Sequence, residues 1–541
     1  MSAPTSAGKK AGSRFAGLLQ NNGYVALAFF ATALLTLFIW FCFQMIPFGD
    51  IPVEFTKDLQ ALKGLHYLKS LHGLRAVSAG LMEVIAGFFE RIRLLFQLRI
   101  QHGRTILRMD AFHQYGPLFG EYYERLVSGR SLLYSWDSGL GGNFLGNLFN
   151  YLSSPTGLLV VLFGHNRVPE AVGVMILLKA AFASGTFAYM LRKMFGRNDA
   201  AIAAFGVLYA FCGFFIAYYW DVMWIDAMAL LPLVALGVDY VIKKQRFLLY
   251  SVSLAVTLVS NYYMGFMVCI FSVLFYLLRY FSFYDFAAQT REGRNKIANS
   301  RLLKSGFTFV FGSVLAGALA AFALVPVYFA LRSSSATSSE WPAQKEWFAS
   351  AFSIFDFLTN HLADVTPTIR SSGEDVLPNI YCGVATLLLV PLYFFVPSIK
   401  LREKILHAGL LALLFFSFNT RILNFVWHGK HFPNDLPYRF SFLYSFLLLL
   451  IAFRTFQFLK ELSGKQILGT GVGATLFVIA VQTLGSKNVT GNGRPSDEVD
   501  LVIYLNIAFL VVYTILFFAH HRTPRTKSTA LSLLLLCAVA T

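Results

Sequence analysis

The sequence predicts an all-α polytopic integral membrane protein with about twelve transmembrane helices, and three observations predict it. Hydrophobic residues make up 56% of the 541-residue chain and charged residues only 13%, with a mean hydropathy of +0.59. A soluble domain carries roughly 25% charged residues, so a chain this apolar could not cover its surface in water. Apolar runs of about the 20 residues needed to span a bilayer recur along the sequence. Every second loop between them is basic, which is the mark of a cytoplasmic loop. The net charge of +17 therefore reads as topology, and nucleic acid is excluded as a partner.

The elements follow in order. Residues 1–22, with Lys9, Lys10 and Arg14, form a cytoplasmic N-terminus, and residues 23–541 a multi-helix transmembrane domain. The first apolar run, about 23–47, is too long for a signal-peptide core and is an uncleaved helix. Helices follow at about 169–191, 200–219, 227–242, 247–261, 264–279, 305–331, 381–399, 405–418, 438–459, 466–483 and 501–519. Arg192/Lys193/Arg197, Lys243/Lys244/Arg246, Arg291 to Lys304, Lys400/Arg402/Lys404, Lys460/Lys465 and Arg522/Arg525/Lys527 mark the inner loops. The last run, 528–541, is too short to span and predicts a partial helix in a chain truncated at its C-terminus.

The large outer loops are 48–168 and 332–380. Within the first, residues 53–103 mix basic residues with Leu81, Ile85, Phe88, Phe89 and Leu94, a pattern that predicts amphipathic helices on the membrane surface. Cys42, Cys212, Cys269, Cys382 and Cys537 lie in or beside apolar runs with no metal-binding or disulfide spacing.

Five motifs on the outer side carry chemistry. In Arg108-Met109-Asp110-Ala111-Phe112-His113-Gln114-Tyr115, helical spacing puts Asp110, His113 and Gln114 on one face; Asp110 is a candidate general base or a helix cap. Residues 131–143 end in Gly-Leu-Gly-Gly-Asn and are followed by Tyr151-Leu152-Ser153-Ser154-Pro155. They lack the strand–loop–helix context of a nucleotide loop and read as re-entrant or interfacial. Tyr218 to Asp226 is a short turn with two carboxylates, Asp221 and Asp226, between tryptophans. They cap helices, orient a substrate or bind a divalent metal; no cofactor is assigned beyond that option. Asn261-Tyr262-Tyr263-Met264-Gly265 is a hairpin turn whose Tyr262 hydroxyl either meets a substrate or belongs to the aromatic belt. The stretch His428 to Phe440 holds His428, His431, Asn434 and Arg439; an arginine at that depth meets an anion or snorkels to the interface.

Pro47-Phe48-Gly49-Asp50, MDAFHQYGPLFGEYYERL, GRSLLYSWDSGLGGNFLGN, YLSSP, WDVMWIDAMALLPL, SNYYMG, PNIYCGVATLLLVPL and HGKHFPNDLPYRFSFLYSF together resemble the bacterial YfhO membrane protein family, from the first helix to about residue 460. Two departures stand out. In the family, the first helix runs almost directly into the Asp110 motif, so residues 51–106 resemble an insertion, and family members continue past residue 541.

The resemblance implies a GT-C-type glycosyltransferase fold with its active site in the outer loops. It also implies a polyprenyl-phosphate-linked sugar as donor and a cell-envelope polymer such as teichoic acid as acceptor, at the bacterial plasma membrane. By position, Asp110 is the catalytic base that the family leads one to expect. On that reading Arg439, with His428 and His431, holds the lipid phosphate, and His113, Gln114, Tyr262 and Asn434 contact substrate. Asp221 and Asp226 orient the acceptor or a metal. The competing classes are a transporter or flippase of lipid-linked intermediates, for which Lys179 and the helix prolines Pro232 and Pro326 are the features, and a non-catalytic scaffold.

Overall fold

The structure is a computed structural model that describes residues 6–43, 45, 105–137, 139–283, 295–333, 341–369, 376–433, 435–484 and 496–522. The amphipathic segment 53–103, the Pro47–Asp50 end of the first helix, Asn434 and the run 528–541 lie outside the described residues.

In chain order the helices are α1 (Ser6–Cys42), α2 (Gly116–Ser128), α3 (Val168–Phe195), α4 (Ala200–Ala210), α5 (Gly213–Tyr218), α6 (Val222–Lys244), α7 (Leu248–Ser260), α8 (Tyr262–Phe283), α9 (Asn295–Leu319), α10 (Ala321–Arg332), α11 (Ile354–Thr359), α12 (Thr386–Tyr393), α13 (Leu401–Asn419), α14 (Arg421–Trp427), α15 (Ser441–Gln457), α16 (Gly464–Leu484) and α17 (Ser496–Arg522). Shorter helical turns lie between α2 and α3. So does a hairpin of β1 (Tyr134–Ser135) and β2 (Gly142–Asn143), in which Tyr134 pairs with Asn143.

The chain is an all-α polytopic membrane protein. Each of the twelve expected segments contains a helix, but not each contains a full-length span. Among the described residues seven helices are long and apolar enough to cross a membrane, or eight if the bent pair α9–α10 counts as one; α7 and α15 are apolar but shorter.

Four segments differ in shape from the expectation. The 200–219 segment breaks at Phe211–Cys212, where Cys212 is extended. The 305–331 segment bends by 71° between α9 and α10 at Ala320, whereas Pro232 and Pro326 sit inside helices that continue past them. The 381–399 segment is helical only over Thr386–Tyr393, because Gly383 at φ +98° cannot join a right-handed helix. Finally, α6 begins at Val222, five residues earlier than expected, which takes Asp226 out of the turn and into the helix.

Burial sorts the helices into scaffold and rim. The apolar windows of α3, the α4–α5 segment and α6 are 78%, 89% and 83% enclosed, against 28% for α1 and α16 and 33% for α17. Without a hydrophobic drive between helices in lipid, small residues and buried hydroxyls hold such a scaffold together. The Ala-rich α4 lies so close to α3 that a side chain on Gly206 would meet the Ser184 carbonyl at 2.7 Å. Thr186 Oγ1 donates to the Ala229 carbonyl of α6 at 2.7 Å, and Tyr209 Oη to the Met228 carbonyl at 2.7 Å. This makes α6 a rigid central post with Asp221 at one end and Lys243 and Lys244 at the other, roughly 34 Å apart at 1.5 Å per residue.

Candidate active site

At the Asp221 end of α6 all five motifs meet. The first is delivered by a π-helical turn, Ala111–Tyr115, that opens directly after Met109 (φ +46°) and Asp110. A π turn advances more residues per revolution than an α turn, so the residue that comes round to Asp110 is Tyr115, five positions on. Gly116 closes the turn: a Cβ there would lie 2.9 Å from the Ala111 carbonyl.

Tyr115 Oη donates to Asp221 Oδ1 at 2.7 Å and lies 3.5 Å from Asp110 Oδ2. A tyrosine has one hydroxyl proton, and the shorter contact takes it. Asp110, exposed and making no side-chain cap bond, keeps its lone pairs for another donor. Asp221 stands at the N-cap position of α6 but does not cap it either. Burial pushes its carboxyl up to about 8, while the Tyr115 hydrogen bond and the Arg439 charge act the other way. Burial, then the Asp221 charge, holds the Tyr115 hydroxyl far above its ordinary value.

The second motif enters through another π turn, Leu148–Leu152. Its Tyr151 ring packs 5.3 Å from that of Tyr115, and the side chains of Gln114 and Asn150 lie near its hydroxyl. The glycine run upstream is the β1–β2 turn, and Asn143 caps the following helical turn by accepting from Gly146 N at 3.2 Å. Arg125 of α2, buried, holds this hairpin through Glu121 at 2.7 Å and the Tyr134 carbonyl at 3.0 Å. The fourth motif is tied to the second by Asn261 Nδ2, which donates to the Asn150 carbonyl at 2.9 Å.

Arg439 closes the cluster from the fifth motif. Its guanidinium lies 4.8 Å from the Trp224 ring centre and 5.2 Å from that of Tyr263, between α6 and α8. It donates to the Asp435 and Leu436 carbonyls at 3.0 and 3.3 Å, which leaves Nη1 uncommitted among the described residues. Leu436 itself is in the left-handed region at φ +57°, so the loop is shaped to present those carbonyls. No ion pair joins Arg439 to a carboxylate of the described residues; its charge is felt by Asp221, Tyr151, Tyr262, His428 and His431.

Several expected assignments change. His113 is exposed and lies edge-on to Phe112 at 5.3 Å, off the face that Asp110 shares with Tyr115, because the turn is π and not α. Asp226 does not pair with Asp221. The early start of α6 turns it towards α3, where Lys179 Nζ donates to its Oδ2 at 2.7 Å and to the Val222 carbonyl at 2.8 Å. The two acids, for which the sequence leaves a divalent metal as one option beside capping and substrate orientation, are therefore not brought together, and no group of three or more His, Cys, Asp or Glu gathers among the described residues. The same ion pair accounts for Lys179, the charge on which the transporter reading leaned.

His428 also differs from expectation. Its Nδ1 lies 2.8 Å from the Asn424 carbonyl, which can only accept, so Nδ1 carries the proton. Burial pulls the imidazole down to about 3, which leaves Nε2 a bare lone pair that cannot donate to a phosphate. His431 is half-buried, and burial followed by the Arg439 charge lowers it too. Sequence reasoning missed Tyr115, Tyr151, Trp224 and Tyr263 as site members. Each lies inside a motif already singled out, but nothing in the spacing marks a π turn.

An apolar cavity of about 610 Å³ lies apart from this cluster, between α12, α13, α15 and α16. Its lining includes buried His361, 3.3 Å from Tyr444 Oη, with Thr386, Gln466 and Thr470.

No curated protein matches the chain. Among solved structures, ArnT from Cupriavidus metallidurans bound to undecaprenyl phosphate is similar at 13% identity and a TM-score of 0.42, over 81% of this chain and 72% of that one. The apo state of the same protein is similar at 14% identity and a TM-score of 0.38 over the same shares. Overlaps at those scores leave the functional reading to the residues themselves. The family profile described as bacterial membrane protein YfhO matches residues 93–541, starting beyond the first helix and running past the residue 460 reached by the motifs, and the chain belongs to that family.

Proposed function

We propose that the protein is a membrane glycosyltransferase of GT-C type that takes a sugar from a polyprenyl-phosphate carrier and adds it to a hydroxyl of a cell-envelope polymer, of the teichoic-acid kind. It works at the outer face of the bacterial plasma membrane, with the N-terminus in the cytoplasm. The observation that carries this reading is the meeting of five distant motifs at the end of α6 remote from its basic Lys243–Lys244 end. Among the described residues that end offers an exposed carboxylate, a tyrosine pair and an arginine with one guanidinium nitrogen uncommitted, the inventory for a phosphodiester donor and a hydroxyl acceptor.

In the proposed reaction the acceptor oxygen attacks the anomeric carbon, and the bond from that carbon to the phosphate oxygen breaks. Asp110 takes the acceptor proton, and the polyprenyl phosphate leaves with one more negative charge than it had as a diester. Arg439, held between Trp224 and Tyr263, meets that charge as it develops, where such a contact contributes most to rate. Tyr115 commits its proton to buried Asp221 at 2.7 Å and lies 3.5 Å from Asp110, whose lone pairs stay open to the acceptor hydroxyl. Gln114 and Tyr262 line the approach, and His431 lies beside Arg439.

Comparing the sugars of envelope polymers in a gene-deletion strain with those of its complemented parent tests the reading. Loss of one sugar, restored by the gene, is the expected result. An unchanged sugar profile in the deletion strain overturns it.

A further inference from the structure

Among the described residues, three buried polar side-chain atoms from three different elements have no hydrogen-bond partner, and all three side chains lie within electrostatic reach of Arg439: Asp221 Oδ2, Tyr263 Oη and His428 Nε2. A buried polar atom left unmet bears its full desolvation penalty, so three around one arginine mark a place that a ligand completes. Their chemistry narrows the ligand. A phosphate diester offers only acceptor oxygens, and Arg439 supplies donors for it. His428 Nε2 is an acceptor, because the Nδ1 proton is committed to the Asn424 carbonyl at 2.8 Å. It must meet an O–H or N–H. Tyr263 Oη both donates and accepts.

The two rings stand 6.1 Å apart, and the guanidinium lies 5.2 Å from the Tyr263 ring centre, so this acceptor-bearing wall adjoins the cation. Phe440, buried and stacked on Trp427 and Phe418, backs the His428 ring at 5.7 Å.

We propose that His428 and Tyr263 form a hydroxyl-reading subsite for the donor sugar: His428 Nε2 accepts a hydrogen bond from a ring hydroxyl, Tyr263 Oη bonds the same or the neighbouring hydroxyl, and the phosphate of that sugar lies on Arg439. This rests on the glycosyltransferase reading above and assigns His428 to the sugar instead of the phosphate. A site built to accept from a hydroxyl discriminates strongly against a ligand without one, since its own buried atom is then left unpaired.

The test is binding to the purified full chain in nanodiscs. The probes are undecaprenyl phosphate alone and undecaprenyl phosphoryl-glucose, -galactose and -N-acetylglucosamine. Wild type should bind the best of the three at least about tenfold more tightly than the bare carrier, as one satisfied buried hydrogen bond of roughly 1.4 kcal/mol requires. His428→Phe should abolish that margin while leaving the bare carrier's affinity unchanged. The substitution strands nothing else, because the Asn424 carbonyl still accepts from the His428 backbone N–H at 3.1 Å. His428→Gln, whose carbonyl can take the place of Nε2, should restore part of the margin, and Tyr263→Phe should lose part of it. Equal weakening of bare and glycosylated carriers by His428→Phe, or an unchanged margin, overturns the subsite. Failure of wild type to bind even the bare carrier overturns the underlying glycosyltransferase reading instead.

Discussion

Removing one partner of the Lys179–Asp226 pair tests whether Asp226 is structural. Lys179 is 3% exposed and the Asp226 side chain 9%, their contact is 2.7 Å, and the same ammonium also holds the Val222 carbonyl at 2.8 Å. Lys179→Met leaves the Asp226 carboxylate buried and unpaired at the first turns of α6. Breaking such a pair costs about 3–5 kcal/mol, roughly a hundredfold to several thousandfold in the unfolding equilibrium. Asp226→Leu alone strands the ammonium and should cost a similar amount. The double variant replaces the pair with apolar groups of similar volume and should recover to within about 1 kcal/mol of wild type. Equilibrium unfolding in mixed micelles, followed by tryptophan fluorescence, reads all four corners of the cycle. If the single variants are as stable as wild type, or if their costs add in the double variant, the two residues are not a buried pair. Asp226 would then return as a substrate or metal ligand.

Other outcomes follow from the same geometry. The Asp221 carboxyl, raised from 3.8 to about 8, binds its proton more tightly folded than unfolded, so its contribution is full below about pH 4 and is lost as pH rises to about 8. Asp221→Asn should flatten that slope, which unfolding midpoints measured at pH 5 and pH 8 would detect. Arg439→Lys keeps the charge but loses the planar fork, and should weaken carrier binding about tenfold or more; equal affinity would remove Arg439 from the phosphate site. Gly116→Ala brings a methyl to 2.9 Å from the Ala111 carbonyl, and should displace the π turn and lower transfer rate more than membrane level. An unaffected rate would mean that the turn does not set the position of Asp110.

Much of the fold was legible because lipid imposes it. Apolar length and alternating basic loops located a helix in each of the twelve expected segments, since a single spanning segment satisfies its own backbone in a bilayer as a helix, whereas α2, α11 and α14 in the outer loops carry no such signal. What those signals do not encode is local break chemistry. The extended Cys212, the bend at Ala320 and the short α12 depend on packing and on single backbone torsions such as Gly383. The site was legible as five motifs but not as contacts. Asp110, Asp221 and Arg439 declared themselves by being ionisable beside apolar helices. The neighbour of Asp110, Tyr115, was hidden because the π turn brings round the fifth position instead of the fourth. Asp226 was misplaced because the turn before α6 is shorter than its polar residues imply. The tautomer of His428 follows from a helical carbonyl one turn back, Asn424, a relation that becomes visible only once α14 is known to run into the His428 loop.

The most direct measurement of the central claim is sugar incorporation into envelope polymers in the deletion strain complemented with wild type, Asp110→Asn or Asp110→Glu at matched membrane levels. Asp110 as the base that accepts the proton predicts restoration by wild type, none by Asp110→Asn, and partial activity for Asp110→Glu, which keeps a carboxylate on a longer arm. Full restoration by Asp110→Asn would contradict it.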